Sequence, residues 1–148
     1  MSQENVDLVK ALLPREDWDL VQSFNQRWPR VREFFEVHSH ADLESGFVRG
    51  GDRTSYRGVD GFRKTWLDWL APWEGYRTEF EKFIEHGADV LVLVNDFGRR
   101  GGMEFEVRLL GAAVWTVREG KLARAFFYAD RGDAIREVGL STAMLGHD

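Results

Sequence analysis

Hydrophobic and polar positions follow two periods along this chain, helical in the first half and alternating in the second. Ser2 can cap a helix whose Val6, Val9 and Leu13 share one face, and Pro14 stops it. A second helix is expected from about Glu16, with Trp18, Val21, Phe24 and Trp28 at helical spacing, until Pro29 breaks or restarts the chain. A short third helix over 31–37 carries Phe34 and Phe35 and runs into His38 and His40, where positive charge suits the helix dipole. Residues 42–49 read as a strand, with Leu43, Ser45 and Phe47 alternating against Glu44, Gly46 and Val48. Gly50, Gly51 and Asp52 end it. Tyr56, Arg57 and Gly58 lead into the clearest helix, where Phe62, Trp66, Trp69 and Trp73 recur three or four apart and Pro72 marks the end.

From Gly75 the period becomes two. Strands are expected over 76–86, 90–97, 103–118 and 121–130, separated by turns at 87–89, at the glycine-rich 98–102 and at Glu119–Gly120. Asp130 can cap a final helix over 132–138, which Gly139 ends, and the last residues are expected to be loose. Helices, a strand, a helix and a four-stranded meander make an α+β plan. The length of 148 residues suits one domain over 1–148, with an ordered core of about 3–140.

Composition narrows the partners. Apolar residues make up 43% and charged residues 30%, an ordinary globular balance. Six Trp and eleven Phe supply the main cohesive force, since burying one such ring is worth roughly 4–6 kcal/mol. The net charge is −5 and the basic residues are scattered, so nucleic acid is not an expected partner. The basic residues of 27–32 and of 99–100 read as solvated helix and hairpin surface. No Cys is present, which excludes thiol nucleophiles, disulfides and thiolate metal sites. The first twenty residues carry charges throughout and no apolar h-region, so no signal peptide is expected. No run approaches a membrane span, and the expected compartment is the cytoplasm.

Three segments, ENVDLVKALLP, YRGVDGFRKTWLDWLAPWEGYRTEFEKFIEHGADVLVLV and AAVWTVREGKLARAFFYADRGDAIREVGL, closely resemble SnoaL-like domain proteins of the nuclear transport factor 2-like superfamily. The likeness covers nearly the whole chain and is weakest between about Arg15 and Ser55. It implies a cone-shaped, strongly bent mixed sheet wrapped around amino-terminal helices, with a pocket at one end. It also implies a homodimer through the outer sheet face. The fold hosts isomerases, hydrolases, cyclases and non-enzymatic binders, so function must be argued from the site.

Residue by residue, the enzymes of the superfamily transfer poorly. Where ketosteroid isomerases place an acidic donor and a base, the matching positions hold Ala113 and Ser45, with Trp115 at the aromatic two residues on. Of the two carboxylates and the bridging Arg of limonene-epoxide hydrolases, Asp96 matches one carboxylate, while Phe127 and Val94 stand at the other two positions. SnoaL-type polyketide cyclases need chiefly one acid/base group in an apolar chamber.

Asp96 is the sharpest candidate. It shares the parity of Val90, Val92 and Val94, whose side chains are expected to look into an oily hollow, and burial there would raise its pKa. The alternative is a strand-end carboxylate that meets water or a hairpin arginine. The spacing of His38, His40 and Asp42 invites a metal reading, but it crosses a helix-to-strand junction, so capping and solvation are the expected roles and no metal is assigned. His40 could instead reach the pocket mouth as a proton shuttle. The expected ligand-facing set is Trp115, Phe127, Trp66, Val94, Ala113 and Tyr56, against the alternative that the rings are plain core. Tyr128 alternates to the sheet exterior.

These observations describe a pocket protein for an apolar small molecule, with no cofactor. Its chemistry would be that of a cofactor-independent isomerase, cyclase or lyase using Asp96. The alternatives are a non-enzymatic ligand-binding or dimerisation module and an epoxide-hydrolase-like enzyme.

Overall fold

The computed structural model describes residues 2–140, and side chains from residue 3 onward. The cap expected of Ser2 and the loose end expected beyond Leu140 lie outside these. Helix α1 (Ser2–Leu12) is followed by α2 (Leu20–Gln26) and α3 (Trp28–His38). A hairpin, β1 (Ser39–Arg49) and β2 (Asp52–Arg57), leads into α4 (Gly58–Leu70). Four strands follow, β3 (Gly75–His86), β4 (Asp89–Arg99), β5 (Val107–Arg118) and β6 (Lys121–Tyr128), and then α5 (Arg131–Glu137).

The six strands form one mixed sheet in the order β2-β1-β6-β5-β4-β3. Only the β1–β6 pairing is parallel. Register shifts between Ser39 and Glu44, between Phe80 and Lys82 and between Thr116 and Val117 bend the strands, as bulges do. The bent sheet with its helices is the α+β architecture that the sequence resemblance implied.

Each face of the sheet has its own core. On the inner face Val90, Val92, Val94, Ala113, Trp115, Ala125 and Phe127 meet α1 to α4. Rings knit this side together: Phe24 stacks on Trp66 at 4.8 Å, Phe35 meets Phe62 at 4.5 Å, and Trp66 meets Phe127 at 4.5 Å. On the outer face Leu91, Leu93, Val114, Phe126 and Tyr128 are covered by Ala134, Ile135 and Val138 around α5. The parity expected for β4, β5 and β6 therefore holds, Tyr128 included. Asp130 caps α5 by accepting from the Gly132 amide at 2.7 Å. Glu119 and Gly120, at φ 55° and 75°, close the β5–β6 hairpin with the positive angles such a tight turn demands.

Several boundaries differ from the sequence pattern by a few residues, among them the start of α3 at Trp28, the start of β1 at Ser39 and the end of β6 at Tyr128, and three larger differences have a physical reason. α2 starts at Leu20 because the Asp19 side chain accepts from the Val21 amide at 3.0 Å, while Glu16 accepts from the Phe80 amide on β3. β2 escapes the hydrophobic pattern because as an edge strand it buries no side chain fully and reads as polar. β5 starts at Val107, not Met103, because residues 100–106 form a loop turned by the Met103 amide on the Arg100 carbonyl. Among the described residues no helix is long and apolar enough to cross a membrane.

The close approach of β1 to its neighbours depends on Gly46. A Cβ there would sit 1.9 Å from the Thr54 carbonyl oxygen and 2.7 Å from the Phe126 ring. Backbone cannot yield as a flexible side chain can, so Gly46→Ala is expected to cost about 3 kcal/mol or more of stability. Urea unfolding checks this, and a loss under about 1 kcal/mol would contradict the packing described.

Candidate functional site

Asp96 lies near the end of β4 with its side chain on the inner face, only 6% exposed. Strand alternation puts it in line with Val90, Val92 and Val94, and antiparallel pairing sets Thr78 of β3 directly opposite. Tyr76, two residues before Thr78, also points inward and donates its hydroxyl hydrogen to Asp96 Oδ2 at 2.5 Å. The Tyr76 oxygen in turn accepts from Trp69 Nε1 of α4 at 3.0 Å. A donor chain thus runs from helix to edge strand to carboxylate, Trp69 to Tyr76 to Asp96, and all three residues are buried.

Local structure fixes that chain. Asp19 Oδ1, besides capping α2, accepts from the Tyr76 amide at 3.4 Å and so ties the start of β3 to the helices. Gly98 opposes Tyr76 across the β3–β4 ladder. It has no side chain because the Trp73 ring occupies the space, 2.5 Å from where a Cβ would stand.

Burial sets the electrostatics. It pushes the Asp96 carboxyl above its ordinary value, against the hydrogen bonds from Thr78 and Tyr76 and the charge of Arg131, which favour the carboxylate. Burial likewise raises the Tyr76 phenol, helped by the charge of and hydrogen bond to Asp96. The proton of the pair therefore stays on the phenol, while Asp96 titrates. A carboxyl raised in this way exchanges a proton closer to neutrality than a solvated one.

The space around Asp96 is divided. The oily hollow expected beside the Val90 strand is an inner cavity of only about 30 Å³, lined by Trp66, Trp69, Tyr76, Val94, Asp96, Ala113, Trp115 and Phe127 among others. That is room for a water or two, because the rings fill the rest. Asp96 and Tyr76 also line an outer hollow of about 250 Å³, with Arg49, Trp69, Trp73 and Arg100. On the helix side Trp66 and Trp115 border a third, mostly apolar hollow of about 330 Å³ beneath Phe34 and Phe35.

Two polar atoms in these walls have no partner. Trp66 and Trp115 are 6% and 1% exposed, and neither indole N–H finds an acceptor among the described residues. A buried donor without an acceptor is costly, and the packing of the surrounding rings has to offset that cost.

Of the residues singled out in the sequence, the structure gathers Asp96, Trp66, Val94, Ala113, Trp115 and Phe127 around the inner cavity. It does not bring His40 or Tyr56 there. His40 sits at the start of β1, where Nδ1 accepts from the Asp42 amide at 3.1 Å and Nε2 lies 3.2 Å from Glu119, on the β5–β6 hairpin. Tyr56 lies on the overlooked β2, and its hydroxyl donates to Asp68 on the outer side of α4. Ser45 is internal but bonded to Thr65 at 2.8 Å. Among the described residues no three His, Asp or Glu side chains converge as a metal site requires.

Sequence reasoning missed Tyr76, Thr78, Arg49 and Arg100. The alternation of Tyr76, Thr78 and Phe80 signalled one shared face, but which residue opposes Asp96 depends on the bulge between Phe80 and Lys82.

This fold and site define a class of protein: a bent sheet closed by helices, with one buried acid among aromatic rings. The SnoaL-like domain model matches residues 25–125, and the chain belongs to that family. Solved structures agree in fold. An NTF2-like protein of unknown function from Burkholderia pseudomallei K96243 superposes with a TM-score of 0.61 at 16% identity, over 92% of this chain and 98% of its own. A putative SnoaL-like polyketide cyclase from Jannaschia sp. CCS1 gives 0.60 at 12% identity, over 95% and 94%. An LEH-like epoxide hydrolase from M. tuberculosis gives 0.56 at 18% identity, over 93% and 90%. No curated protein matches the sequence.

The raised Asp96 carboxyl has a consequence for stability. The folded chain holds this proton more tightly than the unfolded chain does. Stability is therefore fullest below the ordinary value of 3.8 and is lost as pH rises through the folded value. Asp96→Asn, which carries no such proton, is expected to melt higher than the parent at neutral and mildly alkaline pH, with the gap closing in acid. A parent that melts higher than the variant at mildly alkaline pH would contradict the burial penalty.

Proposed function

We propose that this protein is a cofactor-independent enzyme that moves a proton on a mainly apolar, carbonyl-bearing small molecule, with Asp96 as the acid/base group. One observation carries this: a carboxyl buried in an apolar wall, oriented by Tyr76 and open to a hollow of ligand size. Isomerisation, aldol-type cyclisation and elimination all begin with such a transfer next to a carbonyl, and none needs a second nucleophile.

The roles follow from the chemistry. Asp96 takes the proton in its ionised form, so activity rises with pH through its titration. Tyr76 steadies the carboxylate by donating to Oδ2 and keeps it from turning away. The apolar lining excludes water and strengthens these interactions.

An epoxide-hydrolase route is less well supported, since Phe127 and Val94 offer neither a second carboxylate nor a bridging Arg. A second reading, binding without chemistry, draws on a specific observation: the 330 Å³ helix-side hollow is mostly apolar and Asp96 does not line it. There the ligand would be held by Phe24, Phe34 and Phe35 without reaching the acid.

Proton exchange in deuterated buffer separates the two. With 1-tetralone, a two-ring ketone, the protein is expected to speed deuterium entry at the carbon beside the carbonyl. Asp96→Asn should lose about a hundredfold or more of that acceleration. Equal acceleration by parent and variant, or none by either, would leave binding as the better description.

A further inference from the structure

The outer hollow carries charge that the proton-transfer chemistry does not use. Arg49, at the end of β1, donates from Nη2 to the Trp69 carbonyl at 3.0 Å and lies with its guanidinium 4.7 Å from the Trp69 ring centre. Arg100, in the loop after β4, lies 4.9 Å from the ring centre of Trp73. Both line the hollow, and among the described residues neither has a carboxylate within salt-bridge distance. Their neighbours differ: Arg99 pairs with Glu74, Arg77 with Glu106, and Arg131 with Glu81.

Such an arrangement is unusual in a chain whose net charge is −5. Acidic side chains outnumber basic ones, yet the only carboxylate among the described residues lining this hollow is Asp96, buried at its floor. Stacking on indole holds a guanidinium flat and leaves N–H groups directed outward, the geometry suited to a carboxylate. Pro72 and Leu109, with the indole edges of Trp69 and Trp73, supply apolar walls beside it.

We propose that the outer hollow binds a planar aromatic anion, its carboxylate or equivalent acidic oxygen held between Arg49 and Arg100 and its rings against Pro72, Leu109 and the indole edges of Trp69 and Trp73. This deepens the proton-transfer reading, resting on the same site, and assigns its substrate class as aromatic and anionic. The position of the anion follows from the lining. The ring system leads inward from the arginines toward Tyr76 and Asp96, so the charged end stays at the mouth and the reacting carbon goes to the acid. A second copy of this charge deeper in the site would meet Asp96 and be repelled whenever that group is ionised. The arginines therefore orient the ligand as well as attract it.

The test uses 2-naphthoate, with neutral 2-naphthamide of the same shape as its control, each titrated into the full chain by tryptophan fluorescence and by calorimetry. Naphthoate is expected to bind at least tenfold more tightly than the amide and to weaken as salt is raised. Arg49→Gln and Arg100→Gln should each weaken naphthoate roughly tenfold and move the weak amide binding by clearly less, so that the preference for the anion shrinks. Both replacements remove the charge while leaving a polar side chain of shorter reach, and circular dichroism confirms folding before the titration. Amide binding as tight as naphthoate, naphthoate binding unmoved in both variants, or no naphthoate binding at all would each overturn the proposal.

These titrations need no turnover, so they fail separately from the deuterium experiment. Charge-selective binding without proton exchange would keep the anion site and remove the chemistry. Proton exchange on 1-tetralone without charge selectivity would do the reverse.

Discussion

A carboxylate taken out of water is the constraint around which this molecule is organised. Moving an ionised group into an apolar wall costs several kcal/mol unless donors replace the lost water, and here three elements share that task. β4 carries Asp96 inward by the same alternation that buries Val90, Val92 and Val94. β3 supplies Tyr76 and Thr78, and α4 supplies the Trp69 N–H that completes the chain. The donors are too few to return the carboxyl to its solvated behaviour, and burial prevails. A structural carboxylate is usually given enough partners to stay ionised, whereas one left between the two states is suited to moving a proton.

The aromatic rings serve both stability and site. They hold the inner face of the sheet to the helices, and in doing so they close the centre of the molecule almost completely, leaving about 30 Å³ beside the acid. Usable space lies on two sides of that plug: the helix-side hollow under α3 and the outer hollow beside Trp73. Only the outer one reaches Asp96. Arg49 and Arg100, unpaired among the described residues, stand at the same side, so access, charge and acid coincide there, while the helix-side hollow offers mostly apolar walls. Membership of the SnoaL-like family accounts for the shell, and the residues in these walls distinguish what this chain does with it.

Much of the fold was legible because local pattern and tertiary structure agree. The parity of β4, β5 and β6, the aromatic stripe of α4, the Glu119–Gly120 hairpin and the Asp130 cap all follow from residues close together in the chain. The misses share one cause: they depend on partners distant in sequence. β2 has no apolar face to announce it, and its pairing with β1 gives it form. The start of α2 is decided by Asp19, which also bonds the Tyr76 amide. Tyr76 and Thr78 could be read as inward-facing, but from the turn at Gly87 an unbroken hairpin would set Glu79 opposite Asp96. The bulge shifts the register by one and installs Thr78 instead. Arg100 looked like solvated hairpin, and nothing in its neighbours says that Trp73 folds back beneath it. His40 and Tyr56 erred the other way, since polar residues near a predicted junction found surface partners in Glu119 and Asp68.

The most direct measurement is the titration of Asp96 itself, followed through its carboxyl carbon by carbon-13 NMR in the folded protein, with Asp96→Asn used to assign the signal. A midpoint clearly above the ordinary aspartate value of 3.8 is what the burial described here predicts. A midpoint at or below that value would mean that Tyr76 and Thr78 outweigh burial, that the carboxylate is simply structural, and that the account of the site as acid and base is wrong.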